Sequence, residues 1–254
     1  MTKNLKEKIL TNEKALGGFV NAYNPSLVEM LGFNGYDFVV IDNEHGAFSQ
    51  SEITEMIRAA KRTNMSPIVR TSYDPSSIQK ALDNGAEGVQ VPMINNQEQA
   101  EEVVSKAKYP PVGMRGVAYS IPAAQYGTLS GRSYLDQANK NSLISVHIET
   151  KEAVQNFEEI IVVNEIDIAF IGSTDLAVNL GYDNPGHPEV QSVISNLFKK
   201  AKQHDIKMGL VASDSASAAK AFEQGASYVA VVINKVIMEA LNEVVSNSKN
   251  GINE

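Results

Sequence analysis

The sequence predicts a (β/α)8 TIM barrel on three observations: eight short apolar, β-branched runs, amphipathic stretches between them, and no fingerprint of a nucleotide-binding open sheet. The runs occupy residues 15–20, 37–41, 67–70, 88–91, 143–148, 168–171, 208–211 and 228–233. Between the second and third, residues 51–61 place Ile53, Met56, Ile57 and Ala60 on one helical face by the i, i+3, i+4, i+7 rule. Three helix-to-strand joints repeat one pattern: Asn34-Gly35-Tyr36, Asn84-Gly85-Ala86 and Gln224-Gly225-Ala226. Glycine there suits a left-handed helix C-cap. Alternating β and α elements imply a parallel sheet buried on both faces. With neither GxGxxG nor GxxxxGK[ST] present, a closed barrel is favoured over a doubly wound sheet.

The 254 residues, 43% of them hydrophobic, suffice for one large core, and no linker or composition shift divides them, so a single domain over 1–254 is expected. Residues 95–141 exceed what one βα unit requires. After a helix at about 97–108 they carry Tyr109-Pro110-Pro111 and Gly113-Met114-Arg115-Gly116, loop chemistry more than helix chemistry, and read as an elaborated active-site loop. A formal charge of -8 argues against a nucleic-acid partner, which calls for a Lys/Arg-rich surface. The absence of Cys removes disulfides, thiolate zinc sites and a Cys nucleophile. The charged N-terminal residues and the lack of a long apolar run predict no membrane segment and a cytoplasmic location.

In such barrels chemistry gathers at the C-terminal ends of the strands. The second run ends in Asp42-Asn43-Glu44-His45-Gly46, the third in Arg70, the fifth in His147-Ile148-Glu149-Thr150 and the sixth in Gly172-Ser173-Thr174-Asp175. Glu149 and Asp175 end consecutive strands, a pair suited to a hard Mg2+ or Mn2+ ion with positions left for water and a chelating substrate. His147, two residues before Glu149, points to the same side. Arg70 offers a planar fork for a substrate carboxylate, or else pairs with a barrel carboxylate such as Asp42. His45 is a candidate general base, with Asp42 and Glu44 beside it to orient the ring. The turn Gly172-Ser173-Thr174 presents backbone N–H groups that could hold a carboxylate. His187 and His204 read as helix-end residues. No Lys interrupts the apolar interior of a run, which disfavours a Schiff-base route.

Asp42-Asn43-Glu44-His45-Gly46, Leu82-Asp83-Asn84-Gly85-Ala86, Val91-Pro92-Met93, residues 109–116, Ile148-Glu149-Thr150, residues 170–176 and His187-Pro188-Glu189-Val190 together resemble the HpcH/HpaI aldolase family, in that order and across nearly the whole chain. The resemblance implies a barrel of the phosphoenolpyruvate/pyruvate type and a class II, metal-dependent aldolase. Such an enzyme cleaves or forms 4-hydroxy-2-oxo acids, as in 4-hydroxy-2-oxoheptanedioate, giving pyruvate and an aldehyde. It implies Glu149 and Asp175 as ligands of Mg2+, Mn2+ or Co2+, the cation stabilising the enolate. Arg70 would grip the 2-oxo acid, and His45 would be the base, helped by Asp42 and by Asp83 of the same or a neighbouring chain. Homohexamers that exchange a terminal helix are also implied.

Two positions depart from that pattern. His147 stands where many members have Gln, which puts a titratable ring near the substrate. After Arg115-Gly116, residues 117–127 lack the further Arg that many aldolases direct at the aldehyde. The same scaffold is associated with citrate formation from oxaloacetate and acetyl-CoA in siderophore pathways, which stands as the alternative reading.

Overall fold

A computed structural model describes residues 3–72, 74 and 76–250. Eight parallel strands, β1 (Ala15–Val20), β2 (Phe38–Asp42), β3 (Ser66–Arg70), β4 (Gly88–Val91), β5 (Leu143–Ile148), β6 (Ile168–Ile171), β7 (Lys207–Ala212) and β8 (Tyr228–Val232), close into a barrel in chain order. Closure is the pairing of β1 with β8, Gly17 opposite Ala230 and Phe19 opposite Val232. Around it run α1 (Leu5–Leu10), α2 (Pro25–Phe33), α3 (Gln50–Arg62), α4 (Ser77–Asp83), α5 (Gln97–Ala107), α6 (Gly131–Asn141), α7 (Lys151–Gln155), α8 (Phe157–Ile161), α9 (Ser173–Asn179), α10 (Pro188–Gln203), α11 (Ser215–Glu223) and α12 (Ile233–Asn250). No helix among the described residues is long and apolar enough to cross a membrane.

All eight apolar runs are strands, with ends displaced by a residue or so. Helix α3 begins at Gln50, where Ser49 and Glu52 close a reciprocal capping box. Gly35, Gly85 and Gly225 adopt φ of +86°, +100° and +106°, the left-handed conformation expected of the three repeated joints.

Two apolar layers result from strand alternation. Outward residues such as Val39, Ile41, Val69 and Val89 meet Ile53, Met56 and Ile57 of α3 and their counterparts on other helices. Inward residues Phe38, Ile68, Leu143, Ile168, Phe170 and Tyr228 fill the barrel, and Leu5 and Ile9 of α1 join them. Three aromatic rings fit inside because glycine faces them. A Cβ on Gly17 would lie 2.1 Å from the Phe38 ring, and one on Gly209 would lie 2.6 Å from that of Phe170. The filled interior is a floor, and the polar ends of the strands stand above it.

The segment between β4 and β5 departs from expectation. It contains a 3-10 turn at Pro122–Gly127 and the helix α6, and none of its residues lines the cavity at the strand ends. The segment instead packs along α4. Arg115 donates to Asp83 (Nη2 to Oδ1, 2.6 Å) while lying over the Tyr109 ring, and Asn139 of α6 both accepts from Tyr109 N–H and donates to its carbonyl. The one buried residue of α6, Asn139, is polar, so no apolar stripe announces the helix in the sequence.

Lys108 anchors this segment beneath the barrel. Its ammonium is fully buried, donates to the carbonyls of Asn139 (2.6 Å) and Ser142 (3.0 Å), and pairs with Glu165 (3.1 Å). Lys6 reaches the same Ser142 carbonyl and pairs with Asp167 at 3.0 Å. Burial, and then the neighbouring Lys6, pulls the Lys108 pKa down to about 8, against the pull of Asp167 and Glu165. Between that value and the ordinary lysine range the unfolded chain holds a proton that the folded chain has released. The destabilisation is therefore present below about pH 8 and relieved as pH rises. Relative to Lys108→Met, the wild-type chain should gain on the order of 1 kcal/mol of unfolding free energy between pH 8 and 9.5 in denaturant titrations. A difference constant with pH would contradict this assignment.

Candidate active site

The C-terminal ends of the strands surround a cavity of about 350 Å3. Asp42, His45, Arg70, His147, Glu149, Gly172, Ser173, Thr174 and Asp175 line it, so the structure gathers there every sequence-derived candidate except Asp83. Asp83 lies at the last position of α4, held by Arg115 and Gln79, outside this cavity. Within one chain it does not reach the mouth. Phe19, Phe170, Val211 and Val232 supply an apolar part of the lining.

Glu149 follows β5 and is only 3% exposed. Its Oε1 accepts the Met93 N–H at 2.7 Å, and its Oε2 lies 2.9 Å from His147 Nδ1. Met93 adopts a left-handed φ of +58° to present that N–H, a conformation costing a non-glycine residue about 1–2 kcal/mol. Gly172 leaves the space: a Cβ there would stand 2.3 Å from Glu149 Oε2. Burial acts to raise the Glu149 pKa but is outweighed by His147, the Met93 N–H and Arg70, and the carboxyl is held below its usual range. Asp175, third residue of α9, is exposed, and its carboxylate has no hydrogen bond or ion pair among the described residues.

Among the described residues no group of three or more His, Asp or Glu side chains forms a closed cation cage. The donors are instead a positioned carboxylate and an unpaired one on the same open cavity. That oxygen set fits a hard divalent ion which keeps water or substrate oxygens in its remaining positions.

Arg70 was open between a substrate fork and a barrel ion pair, and the structure shows the pair. Its Nε and Nη2 donate to the two Asp42 oxygens at 2.8 and 2.7 Å, and Nη1 lies 2.9 Å from Glu44 Oε2. Its guanidinium also lies over the Phe19 ring, 5.2 Å from the centroid. Burial, acting to lower the Arg70 pKa, is outweighed by Asp42, Glu44 and Glu149, so the group stays charged. The expected orientation of the His45 ring by Asp42 and Glu44 is not what is found. Asp42 Oδ1 accepts the backbone N–H groups of Glu44 and His45, fixing the turn. Glu44 stands 3.9 Å from His45 Nε2, beyond hydrogen-bond reach, and the ring is 62% exposed.

Gly172-Ser173-Thr174 forms the entry to α9, so its backbone N–H groups belong to the free first turn of a helix. His187 caps α10 by accepting the Glu189 N–H, stacks on Tyr182, and is structural as expected; His204 is the C-cap of the same helix. No Lys lines the cavity. Sequence reasoning missed Gln90, Tyr228 and Met93, which support the site from below and beside. Gln90 was signalled by its place as the one polar residue within the run Gly-Val-Gln-Val of β4.

Comparison with known proteins agrees with this architecture. The model of the HpcH/HpaI aldolase/citrate lyase family matches residues 15–238. The chain is 35% identical over 228 residues to a 5-keto-4-deoxy-D-glucarate aldolase of Shigella boydii, covering 89% of this chain and 88% of the relative. It is 34% identical over 241 residues to a 2-keto-3-deoxy-L-rhamnonate aldolase of Salmonella paratyphi B, covering 93% and 90%. The crystal structure of citrate synthase SbnG superimposes with a TM-score of 0.88 at 27% identity, over 99% of each chain. With a family model spanning most of its length and relatives above 30% identity, the chain belongs to the HpcH/HpaI aldolase/citrate lyase family.

Proposed function

We propose that this chain is a divalent-metal-dependent aldolase that cleaves 4-hydroxy-2-oxo acids to pyruvate and an aldehyde. The observation that carries the proposal is the pairing of buried, positioned Glu149 with exposed Asp175, unpartnered among the described residues, on one cavity beside Arg70. A cation held by those carboxylates would supply Lewis acidity at the 2-oxo acid. The similar aldolases carry sugar-acid names with a keto group next to a deoxy carbon, which supports a polyhydroxylated second half of the substrate.

The remaining chemistry falls to this chain's residues. Arg70 is a permanent cation on a fixed fork, and the donors it does not spend on Asp42 and Glu44 are available to the 2-oxo acid. His45, exposed on a turn held by Asp42, would take the 4-hydroxyl proton directly or through a water as the C3–C4 bond breaks. The electron pair then moves toward the 2-oxo group. Phe19, Phe170, Val211 and Val232 exclude water from the apolar side of the cavity. A contribution from Asp83 would have to come from another copy of the chain. Val236, Met238, Leu241, Val244 and Val245 leave an apolar face of α12 exposed, which supports the homohexamer with an exchanged terminal helix that the resemblance implies.

The likeness to citrate synthase SbnG supports a second reading, condensation of oxaloacetate with acetyl-CoA. The two are separated by assaying pyruvate release from 4-hydroxy-2-oxo acids beside thiol release from acetyl-CoA. Pyruvate release that is abolished by chelation and restored by Mg2+, Mn2+ or Co2+ is expected. Thiol release alone, or cleavage undiminished in chelated protein, would refute the aldolase reading. Arg70→Lys keeps the charge but cannot reproduce the two-pronged contact with Asp42, so kcat/KM should fall tenfold or more, at roughly the cost of one charge-assisted hydrogen bond, with the fold intact by circular dichroism. Unchanged kinetics would assign Arg70 a structural role only.

A further inference from the structure

Beneath the cavity, four buried polar side chains form a single line: Tyr228 Oη lies 3.1 Å from Gln90 Oε1, Gln90 Nε2 lies 2.7 Å from His147 Nε2, and His147 Nδ1 lies 2.9 Å from Glu149 Oε2. Tyr228 and Gln90 are 0% exposed and His147 1%, so solvent does not complete their hydrogen bonds. The direction of each bond follows from the carboxylate end. An ionised carboxylate only accepts, so His147 Nδ1 carries a hydrogen. In a neutral ring Nε2 is then a bare acceptor, which the Gln90 amide satisfies by turning its NH2 group toward it. That orientation leaves Gln90 Oε1 toward Tyr228, whose hydroxyl donates.

The far end of the line is rigid. The Tyr228 ring stacks on Phe38 with centroids 4.0 Å apart and meets Phe170 edge-on, while the His147 ring lies on Phe170 at 4.9 Å. Burial keeps the Tyr228 hydroxyl protonated, its pKa well above the phenol range, so it remains a donor. A neutral ring in the opposite tautomer would set a bare nitrogen against the Glu149 carboxylate and leave Gln90 facing Nε2–H with its oxygen. Neither Gln90 nor Tyr228 lines the cavity, so neither meets substrate.

We propose that Gln90 and Tyr228 are positioning residues that hold the His147 ring, in the Nδ1–H tautomer the Glu149 carboxylate selects, and thereby fix that carboxylate toward the cation position. The last link rests on the reading of Glu149 as a cation ligand; the tautomer does not.

The test uses the full-length, metal-free, 15N-labelled protein, with ring nitrogens correlated to ring protons by NMR and His147 assigned by its loss in His147→Gln. A single tautomer is expected, with Nδ1 protonated and Nε2 bare. Gln90→Met and Tyr228→Phe should each shift the bare Nε2 resonance, since the bond that nitrogen accepts is lost in the first and loses its support in the second. Gln90→Met should also weaken Mn2+ binding about tenfold or more, as loss of a partner behind a metal ligand does. Any other protonation pattern in the wild-type ring overturns the proposal without recourse to a variant. So does the wild-type spectrum and Mn2+ affinity in both variants. A wild-type chain with the expected tautomer that neither binds Mn2+ nor releases pyruvate would overturn the proposed function while the hydrogen-bond line stood.

Discussion

Placing the Glu149 carboxylate inside an apolar barrel is the constraint on which the site depends. Withdrawing an ionised carboxylate from water costs on the order of several kcal/mol unless its lone pairs are met. Here they are met from two sides, by the Met93 N–H and the His147 ring, with Arg70 near enough to add its charge. Each supporter exacts a condition of its own. Met93 takes a left-handed backbone, position 172 has no room for a side chain, and His147 requires Gln90 behind it. The environment of one side chain thus reaches four strands.

Ion pairing organises the neighbouring strand ends in the same way. Asp42 and Glu44 both pair with Arg70 in a single, nearly buried cluster, which a buried Arg permits because its planar fork meets two carboxylates at once. Asp175 stands apart from these networks, exposed and unpaired among the described residues. The contrast between one carboxylate that is fixed and one that is free suits an ion that must be held while it exchanges water for substrate.

The fold was legible because barrel strands are nearly continuous apolar runs and the helix C-caps at Gly35, Gly85 and Gly225 carry their own signature. Glu149, Asp175, Arg70 and His147 were legible for a related reason: polar residues that end apolar runs have one common place to point. Residues 95–141 read as an active-site loop, yet within one chain none of them lines the cavity, and α6 went unseen because it buries the amide of Asn139 in place of an apolar stripe, which hydrophobic periodicity cannot detect. The pairing of Arg70 with Asp42 was only half legible, since strand register sets them side by side but not which acceptor the guanidinium takes. Tyr228 was invisible as a functional residue, its hydroxyl being one atom in a run that otherwise reads as core.

The central claim, that a positioned Glu149 carboxylate holds a divalent ion, is met most directly by titrating metal-free protein with Mn2+ and following the free ion by electron paramagnetic resonance, for the wild type and for Gly172→Ala. The added methyl would fall 2.3 Å from Glu149 Oε2, and its three nearest neighbours all belong to Glu149, so it should displace that carboxylate. One Mn2+ bound per wild-type chain, with binding weakened by tenfold or more in Gly172→Ala, is the predicted result. Equal Mn2+ binding by both proteins, in chains of equal thermal stability, would contradict the assignment of Glu149 as a ligand.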